Sequence, residues 1–135
     1  MHKISLRPSS TVLIVARVAT CAVLAGALLT PLLSSAADEA AGQQVFAQCT
    51  ACHSTDGTNG TGPTLKGVVG RDSATVPGFA YSGAMKRAKL HWTPDELDKY
   101  VANPQAIVPG NTMPYAGMPD ATQRSALIAY LSTLK

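Results

Sequence analysis

Between positions 11 and 33 the chain is almost continuously apolar, whereas beyond Asp38 its hydrophobic positions thin out and recur at helical spacing. Ala40, Ala41, Val45 and Phe46 allow a short amphipathic helix over residues 38–48. Gly57, Gly60, Gly62 and Pro63 then punctuate a loop, and a second loop over 69–81 contains Arg71, Pro77 and Gly78. Helical signals return at Thr93-Pro94-Asp95-Glu96, where Thr93 caps, Pro94 suits the first helical position and Glu96 completes a capping box. Leu97, Tyr100 and Val101 share one face of that helix, and Asn103-Pro104 ends it. A last helix starts near Asp120, with Gln123 three residues on and an apolar stripe of Leu127, Leu131 and Leu134. No strand pattern of useful length appears. The prediction is an all-α fold of three main helices joined by long ordered loops, and loops of that length need something to pack against.

The apolar N-terminal run is read as separate from this fold. Residues 1–17 carry Lys3, Arg7 and Arg17 without an acid, residues 18–33 are almost wholly apolar, and Ser34-Ser35-Ala36-Ala37 offers small residues for cleavage. That is the pattern of a secretory signal peptide over 1–37, leaving a domain over 38–135. An uncleaved membrane anchor is the competing reading, since residues 11–33 are long enough to span a bilayer. Cys21 lies inside the apolar run and goes with the leader.

Removing the leader alters the charge. The whole chain has 11 basic and 8 acidic residues, a net of +3, and the excess is Lys3, Arg7 and Arg17. The remaining chain is balanced, with no basic run and no interleaved aromatic patch, so nucleic acid is not an indicated partner. A domain this small buries only about 60–65% of the surface of its unfolded chain and usually needs a further stabilising element.

Cys49-Thr50-Ala51-Cys52-His53 provides one. C-x-x-C-H is the attachment sequence for a covalent c-type haem: each sulfur adds across a vinyl group to form a thioether, and the following histidine supplies the proximal iron ligand. A dithiol oxidoreductase would place the pair in a strand and helix context that is missing here. A zinc site would need two further good ligands, and past the leader only His91 is offered. A haem tied at three points supplies apolar core that the few aromatic residues do not, so the haem-free chain is expected to fold poorly.

His53 leaves one axial position. Met85, Met113, Met118 and His91 are the candidates, with core packing the ordinary role of Met85 and Met118 and an exposed surface position that of His91. Met113 lies in Val108-Pro109-Gly110-Asn111-Thr112-Met113-Pro114-Tyr115-Ala116-Gly117, an extended stretch that can present a thioether at a fixed height.

From about Gly42 to Leu134 the chain resembles class I cytochromes c of the mitochondrial and bacterial short-chain type. Gly42 and Phe46 are similar to the pair on that family's first helix, and Arg124, Leu127, Tyr130 and Leu131 to the last helix that crosses it. Between them stand Gly62-Pro63-Thr64-Leu65, Gly70-Arg71, Pro77-Gly78-Phe79-Ala80-Tyr81, Trp92, Tyr100, Asn103-Pro104 and Pro109-Gly110, with Met113 at the family's spacing. The resemblance implies a class I cytochrome c fold around one covalent haem c, with His53 and Met113 as axial iron ligands. It further implies that the Pro63 carbonyl takes the His53 N–H, and that Tyr81 and Trp92 bond the haem propionates. Arg71 and Asn111 would help to neutralise those propionates, and Tyr100 would face the methionine sulfur.

With both axial positions filled, the expected function is one-electron transfer rather than enzymatic turnover. A neutral thioether and burial favour ferrous iron and raise the potential. The expected protein is a monomeric periplasmic carrier between redox partner proteins, such as a membrane-bound oxidase, a bc1-type complex or a periplasmic dehydrogenase in a respiratory chain. The alternatives are a fixed haem subunit of a larger redox complex, and a haem protein whose methionine leaves to admit small ligands or peroxide. The resemblance departs at the docking face. Where mitochondrial members carry lysines, this chain has Gln44, Gln48, Gln105, Ala106, Thr112, Pro119 and Asp120, and its nearest cations are Lys86, Arg87 and Lys89.

Overall fold

A computed structural model describes residues 30–135, with side chains from Asp38 onward. Most of the proposed leader, residues 1–29, lies outside the described residues. Helix α1 (Thr30–Phe46) passes through Ala36 and Ala37 without a break. Its last two turns carry its buried side, Gly42 and Phe46 with half-buried Val45, at the i, i+3, i+4 spacing of one helical face. Ala40 and Ala41, expected on that face, are exposed.

The helix stops two residues short of the expected Gln48. Ala47, Gln48 and Cys49 each donate to the carbonyl three residues back, at 3.2, 3.2 and 2.8 Å, and this tighter winding turns the chain into the cysteine motif. The expected loops over 57–63 and 69–81 follow, crossed only by an isolated antiparallel bridge between Asp72 and His91.

Two short helices escaped the sequence reading. Helix α2 (Gly83–Ala88) is capped by the Ser82 hydroxyl, which accepts from the Met85 N–H at 3.1 Å, and it has no fully buried residue to generate a periodic signal. Helix α4 (Pro104–Ile107) is a single turn capped by Asn103, whose Oδ1 accepts from the Ala106 N–H at 3.1 Å. The helix between them, α3 (Pro94–Ala102), begins as expected: Thr93 Oγ1 accepts from the Glu96 N–H at 3.2 Å. The reciprocal half of the capping box is absent, because the Glu96 carboxylate pairs with Lys99 instead, at 2.6 Å. Leu97 and Tyr100 are buried on its inner face and Val101 is half-buried.

Helix α5 (Ala121–Thr133) starts from Asp120, whose Oδ1 accepts from Thr122 and Gln123 N–H at 2.8 and 3.0 Å. It buries Leu127, Ile128 and Leu131. Ile128 takes the place expected of Leu134, which falls beyond the last turn, where its carbonyl accepts from Gly67 N–H at 2.7 Å. Each of these side chains contributes about 1.5–3 kcal/mol by leaving water.

Helices α1 and α5 meet at Gly42. A Cβ there would collide with the Ala126 carbonyl oxygen and stand 2.7 Å from Tyr130 Cβ, so only glycine lets the backbones come this close. One turn on, the Phe46 and Tyr130 rings pack with centroids 5.3 Å apart. Residues Ser35–Lys135 form one compact unit. Its core joins Phe46, Val68, Trp92, Leu97, Leu127 and Leu131 and lies against a central cavity. Among the described residues no helix is long and apolar enough to cross a membrane.

Candidate functional site

The turns after α1 bring Cys49, Cys52 and His53 to one wall of that cavity. The Cys52 and His53 amides both donate to the Cys49 carbonyl, at 3.1 and 2.9 Å, which holds the motif in a single turn. Both cysteines are half-buried and unpaired, facing a cavity of about 280 Å3. Burial, and then the neighbouring Cys52, push the Cys49 thiol above its usual range.

His53 Nδ1 lies 2.7 Å from the Pro63 carbonyl oxygen. A carbonyl only accepts, so Nδ1 carries the proton and the Nε2 lone pair is left for a metal. Gly62 completes this floor, since a Cβ at that position would stand 2.7 Å from Nδ1 and 2.9 Å from Nε2.

Arg71, Tyr81, Trp92, Tyr100, Asn111 and Met113 line the same cavity, so every site residue expected from the sequence converges on one place. Arg71 donates from Nη1 to the Lys66 carbonyl at 2.8 Å and from Nη2 to the Thr64 carbonyl at 3.0 Å. A fixed cation at the edge of an apolar cavity suits a carboxylate. Burial pushes the Tyr81 phenol up, and pushes Tyr100 up to about 12. The Tyr100 ring packs on the Trp92 indole with centroids 5.0 Å apart.

Asn111 is placed differently from its expected role. Its amide donates to the Pro104 and Val108 carbonyls at 3.0 and 2.9 Å, and its Oδ1 accepts from the Met113 N–H at 3.0 Å. Both amide hydrogens are thus engaged by backbone, and the side chain acts on the Met113 segment.

Met118 is buried in the core away from the cavity, as core packing predicts. Met85 is not simple filler, because α2 holds it on the cavity wall. His91 is exposed and bonds the Asp72 carboxylate at 2.7 Å. Phe79, Leu65 and Tyr115 also line the cavity without having been read as site residues. Phe79 stands in the Pro77-Gly78-Phe79-Ala80-Tyr81 stretch of the family resemblance, without a role given to it, and meets the Tyr81 ring edge-on with centroids 4.8 Å apart.

The donor set fits a covalent haem: two thiols three residues apart, an imidazole with a free Nε2, a thioether, and an apolar cavity with a cation at its edge. Among the described residues there is no cluster of His, Cys, Asp or Glu to hold a metal ion alone.

Comparison with known proteins agrees. The cytochrome c family model matches residues 39–135. A cytochrome c-type cyt cy of Rhodobacter capsulatus is 51% identical over 98 residues, covering 72% of this chain and 49% of its own, so the match spans about half that relative's length. Cytochrome c2 of Rhodopila globiformis is 53% identical over 89 residues, covering 64% of this chain and 83% of its own. In three dimensions the chain is similar to cytochrome cH from Methylobacterium extorquens, with a TM-score of 0.68 and 43% identity over 70% of this chain and 96% of that one. With two cysteine thiols, a free imidazole and an apolar cavity in one all-α fold, the chain belongs to the cytochrome c family and is a c-type haem protein.

Proposed function

We propose that the protein is a periplasmic one-electron carrier whose haem c is held through Cys49 and Cys52, with His53 and Met113 as the axial ligands of the iron. The observation that carries this reading is the His53 to Pro63 contact of 2.7 Å with Met113 lining the same cavity, which presents one imidazole and one thioether to the same space. When bound, haem c supplies an iron that gains and loses a single electron. The chain's own residues do the rest. Pro63 fixes the His53 ring and its tautomer by accepting the hydrogen bond from Nδ1–H. Leu65, Val68, Leu97 and Leu127 exclude water, which raises the cost of the oxidised charge and favours a high potential. Arg71, Tyr81 and Trp92 supply N–H and O–H donors for the propionates. Tyr100, neutral with its phenol held up to about 12, contributes a dipole to the cavity without adding charge.

The leader over 1–37 supports an extracytoplasmic site of action, since a signal peptide would carry the domain over 38–135 across the inner membrane before the thioethers form.

The docking face supports partners met without strong steering. Gln44, Gln48, Gln105, Ala106, Thr112, Pro119 and Asp120 are all exposed, only Asp120 is charged, with its carboxylate capping α5, and Gln48 and Thr112 reach the cavity itself. Lys86 and Arg87 sit in the last turn of α2, where they complement its C-terminal dipole. Opposite charge mainly sets association rate. Electron transfer to the oxidase activity of native membranes is therefore expected to be fast, and to change by no more than about threefold between low and physiological ionic strength, against the roughly hundredfold span open to steered pairs. Stopped-flow traces at several salt concentrations measure this. A steep fall with salt contradicts the docking account, and no transfer at any salt contradicts the carrier.

A further inference from the structure

The segment that presents Met113, residues 111–120, has no regular secondary structure, yet side chains tie it down at both ends. At its start Asn111, only 7% exposed, bridges the Pro104 and Val108 carbonyls to the Met113 N–H through three hydrogen bonds of 2.9–3.0 Å. At its far end the Met118 N–H donates to the Val101 carbonyl at 2.9 Å. Gly117, at φ +108°, lies so close to the Ala102 carbonyl oxygen that a Cβ would collide with it. Arg124 then reaches back from α5. Its Nη1 donates to the Met118 and Pro119 carbonyls, both at 2.8 Å, and its Nε to Asp98 Oδ1 on α3, also at 2.8 Å. The Arg124 side chain is 12% exposed, so the guanidinium is mostly buried while its partner Asp98 stays 40% exposed.

We propose that Asn111 and Arg124 are positioning residues that clamp the two ends of this segment and so set how readily an outside ligand replaces Met113. The inference rests on Met113 being the sixth ligand. A neutral thioether is a modest ligand for ferric iron, and its retention depends on how much structure must be disrupted when it leaves. A methionine on a free loop would swing out with little loss. Here its own backbone N–H is bonded to a buried amide, and the end of its segment is bonded to a guanidinium shared by α3 and α5. Displacement must break one anchor or the other.

The test is a titration of the ferric holoprotein with imidazole, followed optically. Asn111→Ala and Arg124→Gln are each expected to tighten imidazole binding about tenfold, the loss of a buried hydrogen-bonded anchor. Arg124→Lys keeps the charge but not the fork, and should fall between Arg124→Gln and the wild type. Ser73→Ala is the control. Buried Ser73 accepts from the Leu90 N–H at 3.0 Å and bonds to neither clamp residue, so its loss should lower the melting temperature while leaving imidazole affinity as it was. Should Arg124→Gln fail to fold, Asp98→Asn loosens the same guanidinium and is expected to tighten binding to a smaller extent. Unchanged affinity in the clamp variants, or an equal gain in Ser73→Ala, overturns the clamp. A wild-type ferric protein without methionine–iron charge-transfer absorption removes the ligand reading itself, whereas that absorption with unchanged affinities removes only the clamp.

Discussion

Met113→Ala is expected to abolish the methionine–iron charge-transfer absorption of the ferric protein and to open the ferrous form to carbon monoxide at neutral pH, which the wild type should not bind. The potential should fall by on the order of 200 mV, a fraction of the roughly 0.8 V that axial ligands span. The reasoning is local. The thioether favours ferrous iron, and Met113 lies at the spacing the family resemblance implies, on a segment whose backbone N–H is held by Asn111 Oδ1 at 3.0 Å. Met85 is the internal rival, since it lines the same cavity from α2. If the charge-transfer absorption survives in Met113→Ala and vanishes in Met85→Leu, the ligand assignment moves to Met85.

Preventing haem attachment is expected to have the largest effect on the fold. With Cys49→Ser and Cys52→Ser together, the chain should lose most of its helical far-UV circular dichroism. The cavity of about 280 Å3 is walled by the core itself, with Trp92, Leu97, Tyr100, Leu127 and Leu131 contributing to both. Without haem those apolar walls would face water, each large side chain forfeiting up to about 1.5–3 kcal/mol of burial. Over five such side chains the loss is comparable with the entire stability of many small domains, so the haem-free chain is expected to lose this packing. Circular dichroism of the double variant checks this, and near-native helicity would show that the protein folds without its cofactor.

What could be read from the sequence, and what could not, follows from where the stabilising contacts come from. Helices α3 and α5 were legible because Thr93 and Asp120 cap them through bonds two or three residues away, a purely local device. Helices α2 and α4 were not, since a six-residue and a four-residue helix leave too little chain for an apolar period. The site was legible as a set because motif and family spacing both marked its members, and the fold gathers them around one cavity. The task of Asn111 was not. Its partners are the carbonyls of Pro104 and Val108, backbone groups whose positions depend on the α4 turn that the pattern did not reveal. Arg124 was seen as part of the last helix, but its hold on Met118 and Pro119 exists only once α5 has docked.

The central claim is a six-coordinate His53 and Met113 site that exchanges one electron. A potentiometric titration of the purified holoprotein, followed by optical spectra, tests it most directly. A single one-electron curve is expected, with low-spin spectra in both states and methionine–iron charge-transfer absorption that grows in as the protein is oxidised. A high-spin spectrum in either state, or an oxidised protein without that absorption, would contradict it.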